Sequence, residues 1–282
     1  MTCAWQAYLN LLPPWLRQQV DNHNSETLQE LRLRIDQPPE LILKDTNCWL
    51  SRKISIEDLK FCINAASQYS PWCAGTISSG YITAPGGHRI GICGDAVVSK
   101  GAITGIHTPS SLCLRVARDF PGIAESTLEY SGSILIIGRP GCGKTTLLRD
   151  IIRQRSEKNS GAVAVVDERC EIFPVYQGKS CFFPGRKTDI FSSAKKSVAV
   201  EAVLRNMSPS TIAMDEITAK EDCDALLHAG WCGVHLLATA HAGSKYDLFS
   251  RPVYRPIIDS KLFDTLIILQ SDKSWHAERM KI

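Results

Sequence analysis

A chain of 282 residues with 44% hydrophobic and 22% charged residues is long enough for one large domain or two ordinary ones, and its composition is that of a globular protein. Net charge is only +3, and the first 125 residues balance 11 Lys/Arg against 11 Asp/Glu, so no basic field supports a non-specific grip on nucleic acid. No apolar run approaches the roughly 18 residues needed to cross a bilayer, and the first residues lack the basic-then-apolar pattern of a secretory signal.

In chain order, Leu31-Arg32-Leu33-Arg34-Ile35 alternates with the period of a strand, and Asp36-Gln37-Pro38-Pro39 turns the chain away. Ser55 to Tyr69 has the pattern of a helix, with Ser55 as its cap, Glu57 and Asp58 in the first turn, and Leu59, Cys62 and Ile63 facing inward. Glycines then crowd between positions 80 and 105, and Gly86-Gly87 reads as a hairpin turn joining Tyr81-Ile82-Thr83 to Arg89-Ile90-Gly91-Ile92. A small α+β domain over residues 1–125 follows, joined near Asp119 to Ser131 to a second domain over 126–282.

The second part alternates strand and helix. Ser133-Ile134-Leu135-Ile136-Ile137 is a short apolar run of buried-strand type, and Leu147, Leu148, Ile151 and Ile152 recur at helical spacing, with Arg149, Asp150 and Arg153 on the other side. Between them stands Gly138-Arg139-Pro140-Gly141-Cys142-Gly143-Lys144-Thr145, which satisfies G-x-x-x-x-G-K-[ST] and is followed by Thr146. Glycines let successive backbone N–H groups approach phosphate oxygens, the lysine brings a mobile positive charge, and the threonine hydroxyl offers an oxygen to Mg²⁺. Strand, glycine loop and helix start, in that order, place an anion at the positive end of a helix. The motif therefore predicts a nucleoside-triphosphate site.

Further continuous apolar runs at 162–166, 211–214, 234–238 and 265–269 suit a parallel sheet covered on both faces. Thr211-Ile212-Ala213-Met214-Asp215-Glu216 ends in two carboxylates: Asp215 is placed to hold Mg²⁺ through its water shell and Glu216 to polarise the attacking water. The pair favours ATP hydrolysis over a GTP switch. Val165-Val166-Asp167-Glu168-Arg169 is a second acidic tip, where Glu168 is a candidate to order metal-bound water and Arg169 to pair with Glu168 or Glu171. Leu236-Leu237-Ala238-Thr239-Ala240-His241 ends in the candidates for a γ-phosphate sensor, Thr239 and His241. Thr218-x-x-Glu221 reads as a capping box, and Lys195-Lys196 as a solvated helix end. The 11 cysteines include no C-x-x-C pair, and Cys142 lies inside the glycine loop. They read as reduced, mostly small buried residues of a cytosolic protein, without the paired spacing of a zinc site.

Taken together these segments resemble the stage III sporulation protein AA family, relatives of the hexameric ATPases of bacterial secretion and pilus systems. The resemblance rests on Leu31-Arg32-Leu33-Arg34, Gly86-Gly87-His88-Arg89-Ile90-Gly91, and Ser110 to Arg118. It rests also on the glycine loop, Val166-Asp167-Glu168-Arg169, Arg205-Asn206-Met207-Ser208-Pro209, and Ala238-Thr239-Ala240-His241. It implies an α/β fold, a RecA-like P-loop NTPase sheet domain preceded by a smaller α+β domain, with Mg-ATP held between domains or subunits. It further implies a homo-oligomeric ring (a hexamer in the related ATPases), membrane-embedded channel proteins as partners, and a cytoplasmic protein peripheral to the membrane. In that picture Arg115 and Arg118, just before the linker, reach the phosphates. Where the family has Gly-x-Arg, this chain has Gly185-Arg186-Lys187, with a lysine at the arginine's place that lacks its planar bidentate contact. Arg186 next door is the candidate substitute, and Arg115, Arg118, Arg186 and Lys187 are expected to form a cationic lining over the nucleotide. The function expected is ATP hydrolysis by a motor serving a mother-cell-to-forespore channel. A nucleic-acid-stimulated P-loop ATPase, a small-molecule kinase and a nucleotide-regulated docking module with little turnover are the alternatives.

Overall fold

The computed structural model describes residues 1–68, 80–99, 101–158 and 161–280, and of Ala102 only the backbone. These residues form two compact units, Met1–Asp119 with Pro174–Cys181, and Phe120–Phe173 with Phe182–Ile282. The first unit ends at Asp119, ahead of the boundary expected after residue 125. The reason is local: the Ala124 amide donates to the buried Asp150 carboxylate at 2.8 Å, which ties this stretch to the second unit.

In the first unit, α1 (Trp5–Leu9) and α2 (Pro14–Asp21) precede β1 (Leu28–Arg34), β2 (Glu40–Leu43) and β3 (Asn47–Trp49). Then come α3 (Ile56–Ser67), β4 (Tyr81–Thr83), β5 (Arg89–Ser99) and β6 (Ala102–Arg115). Among the described residues the sheet runs β3-β2-β1-β6-β5-β4, all pairs antiparallel. The helix expected from Ser55 is present: Ser55 Oγ accepts the Asp58 amide, and Asp58 Oδ2 accepts the Ser55 amide at 2.9 Å, a reciprocal cap. Its expected last residue, Tyr69, lies outside the described residues. The turn joining β4 and β5 is longer than a two-residue hairpin, because Pro85–Gly87 form a 3₁₀ turn with Gly86 and Gly87 both at positive φ.

His88, fully buried behind that turn, locks the unit together. Its Nδ1 accepts the Ala117 amide at 3.0 Å and its Nε2 donates to the Ala4 carbonyl at 3.0 Å, which fixes a neutral ring. Burial pushes its pKa down from 6.5 to about 4, partly opposed by the bond to Ala4.

In the second unit, β7 (Ile134–Gly138) leads to α4 (Lys144–Lys158), β8 (Val163–Asp167), β11 (Thr188–Ser192), α5 (Lys196–Met207) and β12 (Thr211–Ile217). It continues through α6 (Lys220–Trp231), β13 (His235–His241), α7 (Lys245–Ser250), α8 (Arg255–Asp259), β14 (Thr265–Leu269) and β15 (Trp275–Arg279). The excursion β9 (Val175–Tyr176) and β10 (Lys179–Ser180) belongs to the first unit. The order β11-β8-β12-β13-β7-β14-β15 is parallel up to β14, with β15 an antiparallel edge. Strands β7, β8, β12 and β14 are buried almost throughout, as their unbroken apolar runs require.

Helix α4 departs from the expected amphipathic pattern, since Arg149, Asp150, Arg153 and Arg155 are all buried. Loops of the same unit cover this face and supply partners. Arg149 donates to the Ile172 and Glu171 carbonyls and stacks over Phe182, Arg153 binds Asp150 and the Phe183 carbonyl, and Arg155 binds the Gly132 carbonyl. A polar face is thus buried with its hydrogen bonds satisfied rather than solvated.

The neutral burial of His88 makes stability depend on pH. The unfolded state takes up the proton near pH 6.5 and the folded state only near pH 4, so the full contribution is present above pH 6.5 and is lost as pH falls through that window. We expect urea unfolding to lose up to roughly 3 kcal/mol between these limits from this group, and the His88→Gln variant, though less stable at pH 7, to show a flatter profile.

Candidate functional site

Parallel pairing brings the C-terminal tips of β7, β13, β12 and β8 to one edge of the sheet, with β13 lying between the glycine-loop strand and the Asp215-Glu216 strand. Open α/β sheets place ligands at this edge. The loop leaves β7 through Gly138, where a Cβ would stand 2.5 Å from Cys142 Sγ and 3.0 Å from the Leu269 carbonyl oxygen, so no side chain fits. Gly141 and Gly143 have φ of 78° and 104°, the left-handed region that turns the loop amides to one side. Arg139, Pro140 and Gly141 are exposed, Cys142 is buried, and Lys144 opens α4, followed by Thr145 and Thr146 in its first turn.

Lys144 is 5% exposed, and its ammonium donates to the Gly138 carbonyl (3.0 Å), the Arg139 carbonyl (3.1 Å) and His241 Nδ1 (3.1 Å). With Nδ1 accepting, His241 carries its proton on Nε2, which donates to Glu216 Oε1 at 3.0 Å. The Thr145 hydroxyl donates to Asp215 Oδ2 at 2.6 Å, and the Thr239 hydroxyl donates to Asp215 Oδ1. Residues far apart in sequence therefore share one network of loop, β12 and β13.

Glu216 sits where β12 advances three residues, from Met214 to Ile217, against two on β13, from Ala238 to Ala240. This is a bulge, and Glu216 takes it up with a left-handed φ of 50°. A non-glycine residue there costs about 1–3 kcal/mol unless its surroundings fix it. They do: the Glu216 amide donates to Thr239 Oγ1 at 2.8 Å, its carbonyl accepts from Lys196, and its carboxylate is held by His241 and by Arg169 at 3.3 Å. The bulge aims the Glu216 carboxylate along the sheet edge beside Asp215.

Three expectations are corrected here. Lys196 is not a solvated helix end: it is 8% exposed and its ammonium binds the Glu216 carbonyl and Asp222 Oδ2 (3.2 Å), 4.0 Å from Glu168. The residue capping α6 is Asp222 rather than Glu221, through the Thr218 and Ala219 amides at 2.9 and 3.2 Å. Arg169 pairs across to Glu216, not with Glu168 or Glu171. Asp167 is a buried scaffold carboxylate: burial raises its pKa, and the Phe173 and Glu171 amides it accepts at 2.8 Å act the other way.

The expected cationic lining is not assembled within one nucleotide unit. Because β11 pairs parallel to β8 with Thr188 beside Val163, Arg186 and Lys187 precede the N-terminal end of β11, at the sheet edge opposite the glycine loop. The Arg186 amide binds Glu157 in the last turn of α4, and that helix of 15 residues separates it from Lys144 by about 20 Å. Arg118 is turned into its own unit, donating to the Ser25 carbonyl at 2.6 Å and to the Leu28 carbonyl, which does not fit the expected phosphate contact. Arg115, largely exposed, pairs with Glu30 at 3.0 Å.

Among the described residues no three His, Cys, Asp or Glu side chains cluster closely enough to hold a metal ion alone. One hydroxyl and one carboxylate, Thr145 and Asp215, fit a cation that keeps waters and takes further oxygens from phosphates, as Mg²⁺ does. Lys144 and the loop amides would face those phosphates, and Glu216 would stand one strand tip away.

A parallel sheet of this order, with the glycine loop after β7 and the paired carboxylates two strands away, defines the RecA-like fold of the P-loop secretion ATPases. The chain belongs to the family described as "Sporulation stage III, protein AA", whose profile matches residues 6–278. It is 36% identical over 256 residues to stage III sporulation protein AA of Bacillus subtilis strain 168, covering 87% of this chain and 83% of that protein. The fold is shared with the Legionella pneumophila ATPase DotB (TM-score 0.61, 18% identity, 95% of this chain and 80% of that one). It is shared also with the pilus retraction motor PilT solved with bound ADP (TM-score 0.61, 16% identity, 89% and 76%).

Thr239 both receives the Glu216 amide and donates to Asp215, in full burial. Thr239→Val keeps the shape and removes both bonds, leaving the Glu216 amide only its longer contact to Asp215 Oδ1 at 3.1 Å, and losing the hydroxyl's bond to the buried carboxylate costs about 1.5–3 kcal/mol. We expect a loss of that size in chemical denaturation, with Thr239→Ser retaining most of it.

Proposed function

We propose that this chain binds Mg-ATP at the glycine loop and hydrolyses it as a secretion-type motor ATPase. The observation that carries the proposal is the meeting of Lys144 and Thr145 with Asp215, Glu216 and His241 at one sheet edge through bonds of 2.6–3.1 Å. Loop amides and Lys144 receive the phosphates, while Thr145 and Asp215 hold Mg²⁺. Bound Mg²⁺ would neutralise phosphate charge and orient the phosphates. Glu216 accepts a proton from the attacking water, Glu168 orders water near the cation, and His241 senses the terminal phosphate, while the buried Thr239, expected as a second sensor, instead holds Asp215 and Glu216 in place. Entry of phosphates gives Lys144 a stronger partner than His241, which frees the ring to turn toward the nucleotide.

Two neighbours in the fold comparison, an ATPase and an ADP-bound pilus motor, support the reading. Membership in the sporulation family supports a role in sporulation, and we assign the motor to a channel between mother cell and forespore. Among the described residues no helix is long and apolar enough to cross a membrane, so in this reading membrane-embedded channel proteins dock the ATPase from the cytoplasm. Arg186, 84% exposed at the far end of α4 from its own loop, meets a nucleotide only when presented to another copy, which suits a homo-oligomeric ring, and Arg115 is the second exposed cation available to such a site. The near-neutral charge gives nucleic acid no comparable role.

Lys144→Ala removes a charge-assisted contact of about 1.5–3 kcal/mol, so calorimetry should show Mg-ATP binding weakened roughly 10- to 150-fold, with the fold retained by circular dichroism. Unchanged affinity would place the phosphates elsewhere. Glu216→Gln should keep Mg-ATP affinity and slow turnover by roughly 10²- to 10⁴-fold. Specific activity should rise with protein concentration, and Arg186→Ala should flatten that rise; constant activity across the monomer-to-oligomer range would assign a self-sufficient single-chain site.

A further inference from the structure

Lys196 is the first residue of α5, and nothing in helix formation asks for it there. A cation at a helix N-terminus opposes the helix dipole, and burying it removes its hydration. No side chain caps this helix at Lys195, so Lys196 does not serve that end either. Its ammonium instead lies against three groups from three other elements: the Glu216 carbonyl at the tip of β12, the Asp222 carboxylate in the first turn of α6, and the Glu168 carboxylate after β8. Asp222 in turn holds the Thr218 and Ala219 amides and the Thr218 hydroxyl. The stretch 216–219 is thus gripped from both sides by one buried ion pair.

The Glu216 carbonyl is the group that the left-handed bulge turns out of the strand ladder, since regular pairing with β13 lapses between Met214 and Ile217. Lys196 supplies the donor that the ladder no longer gives. Thr239 holds the amide of the same residue and Lys196 its carbonyl, so the two together fix the peptide planes on either side of Glu216 and thereby the direction of its carboxylate.

We propose that Lys196 is a positioning residue for the water-activating Glu216, acting through the Glu216 carbonyl and not through the nucleotide. The proposal rests on the reading of Glu216 as the proton acceptor in ATP hydrolysis. A misdirected carboxylate weakens the transition state without touching the ground-state complex, so the loss falls on kcat.

The test is a double-mutant cycle on the full chain. Lys196→Met should lower kcat by about 10- to 100-fold while KM and the Kd of a fluorescent Mg-ATP analogue stay within about twofold. In the Glu216→Gln background the same change should have no further effect on single-turnover rate, and Lys196→Arg should recover part of the wild-type kcat. Because Lys196→Met leaves the buried Asp222 without its cation, Lys196→Met with Asp222→Asn provides a folded comparison, checked by circular dichroism. An equal fall in the Glu216→Gln background, or a loss confined to KM, overturns the proposal. If the wild-type chain binds Mg-ATP without turning it over, the hydrolytic reading fails, and amide hydrogen exchange then decides the positioning claim. Exchange at Glu216 and Ile217 should be quicker in the double variant than in Asp222→Asn alone while β7 and β13 stay protected, and equal exchange there would overturn it.

Discussion

The Asp215 carboxylate holds the second unit's sheet edge together. Each of its oxygens accepts one hydroxyl, from Thr145 in the first turn of α4 and from Thr239 in the middle of β13. Two charge-assisted bonds to a buried acid are among the stronger contacts available to a polar core, and these two join a helix start and two strands that no local sequence links. Once Asp215 is fixed, the peptide that follows is fixed too, because its amide lies between Asp215 Oδ1 and Thr239 Oγ1.

From that point the strand can no longer run straight. The extra residue in β12 is taken up at Glu216 in a left-handed conformation, and each of its three polar groups has a separate partner: amide, carbonyl and carboxylate. Such over-determination is what allows a strained backbone to persist at a functional position. The His241 ring then joins this strained residue to Lys144, so the cation of the glycine loop and the acid at the neighbouring tip share one bonded path. A single imidazole bridges the loop lysine and Glu216.

The rest of the second unit shows the same economy of burial. Arg149, Asp150, Arg153 and Arg155 on α4, and Lys196 on α5, are polar residues placed indoors with their bonds satisfied by loop carbonyls and acids. Buried charges of this kind contribute little net stability when paired and are costly when unpaired. Their effect is geometric, since each fixes one loop against one helix.

The sequence by itself determined the class of the fold, the five inner strands of the sheet, the glycine loop, the Asp215-Glu216 tip and the polar tip of β13, because these are properties of short segments. The edge strands β11 and β15, which carry no continuous apolar run, were not legible in it. An apolar run of five residues bounded by turn residues reads as a buried strand, and G-x-x-x-x-G-K-[ST] between such a strand and a helix reads as a phosphate-binding loop. Tertiary structure alone decided which charges went inside and which way each tip faced. A run such as Lys195-Lys196 or Arg149-Asp150 reads as a solvated face, and the groups that cover it lie 20 or more positions away in the chain. A lysine at a helix start, against the dipole, was the one local sign of Lys196. The left-handed Glu216 left no such sign, since a bulge is a mismatch between two strands and neither carries it alone. The direction of β11 likewise put Arg186 at the opposite edge from its own loop, a fact of strand pairing that residue spacing does not encode.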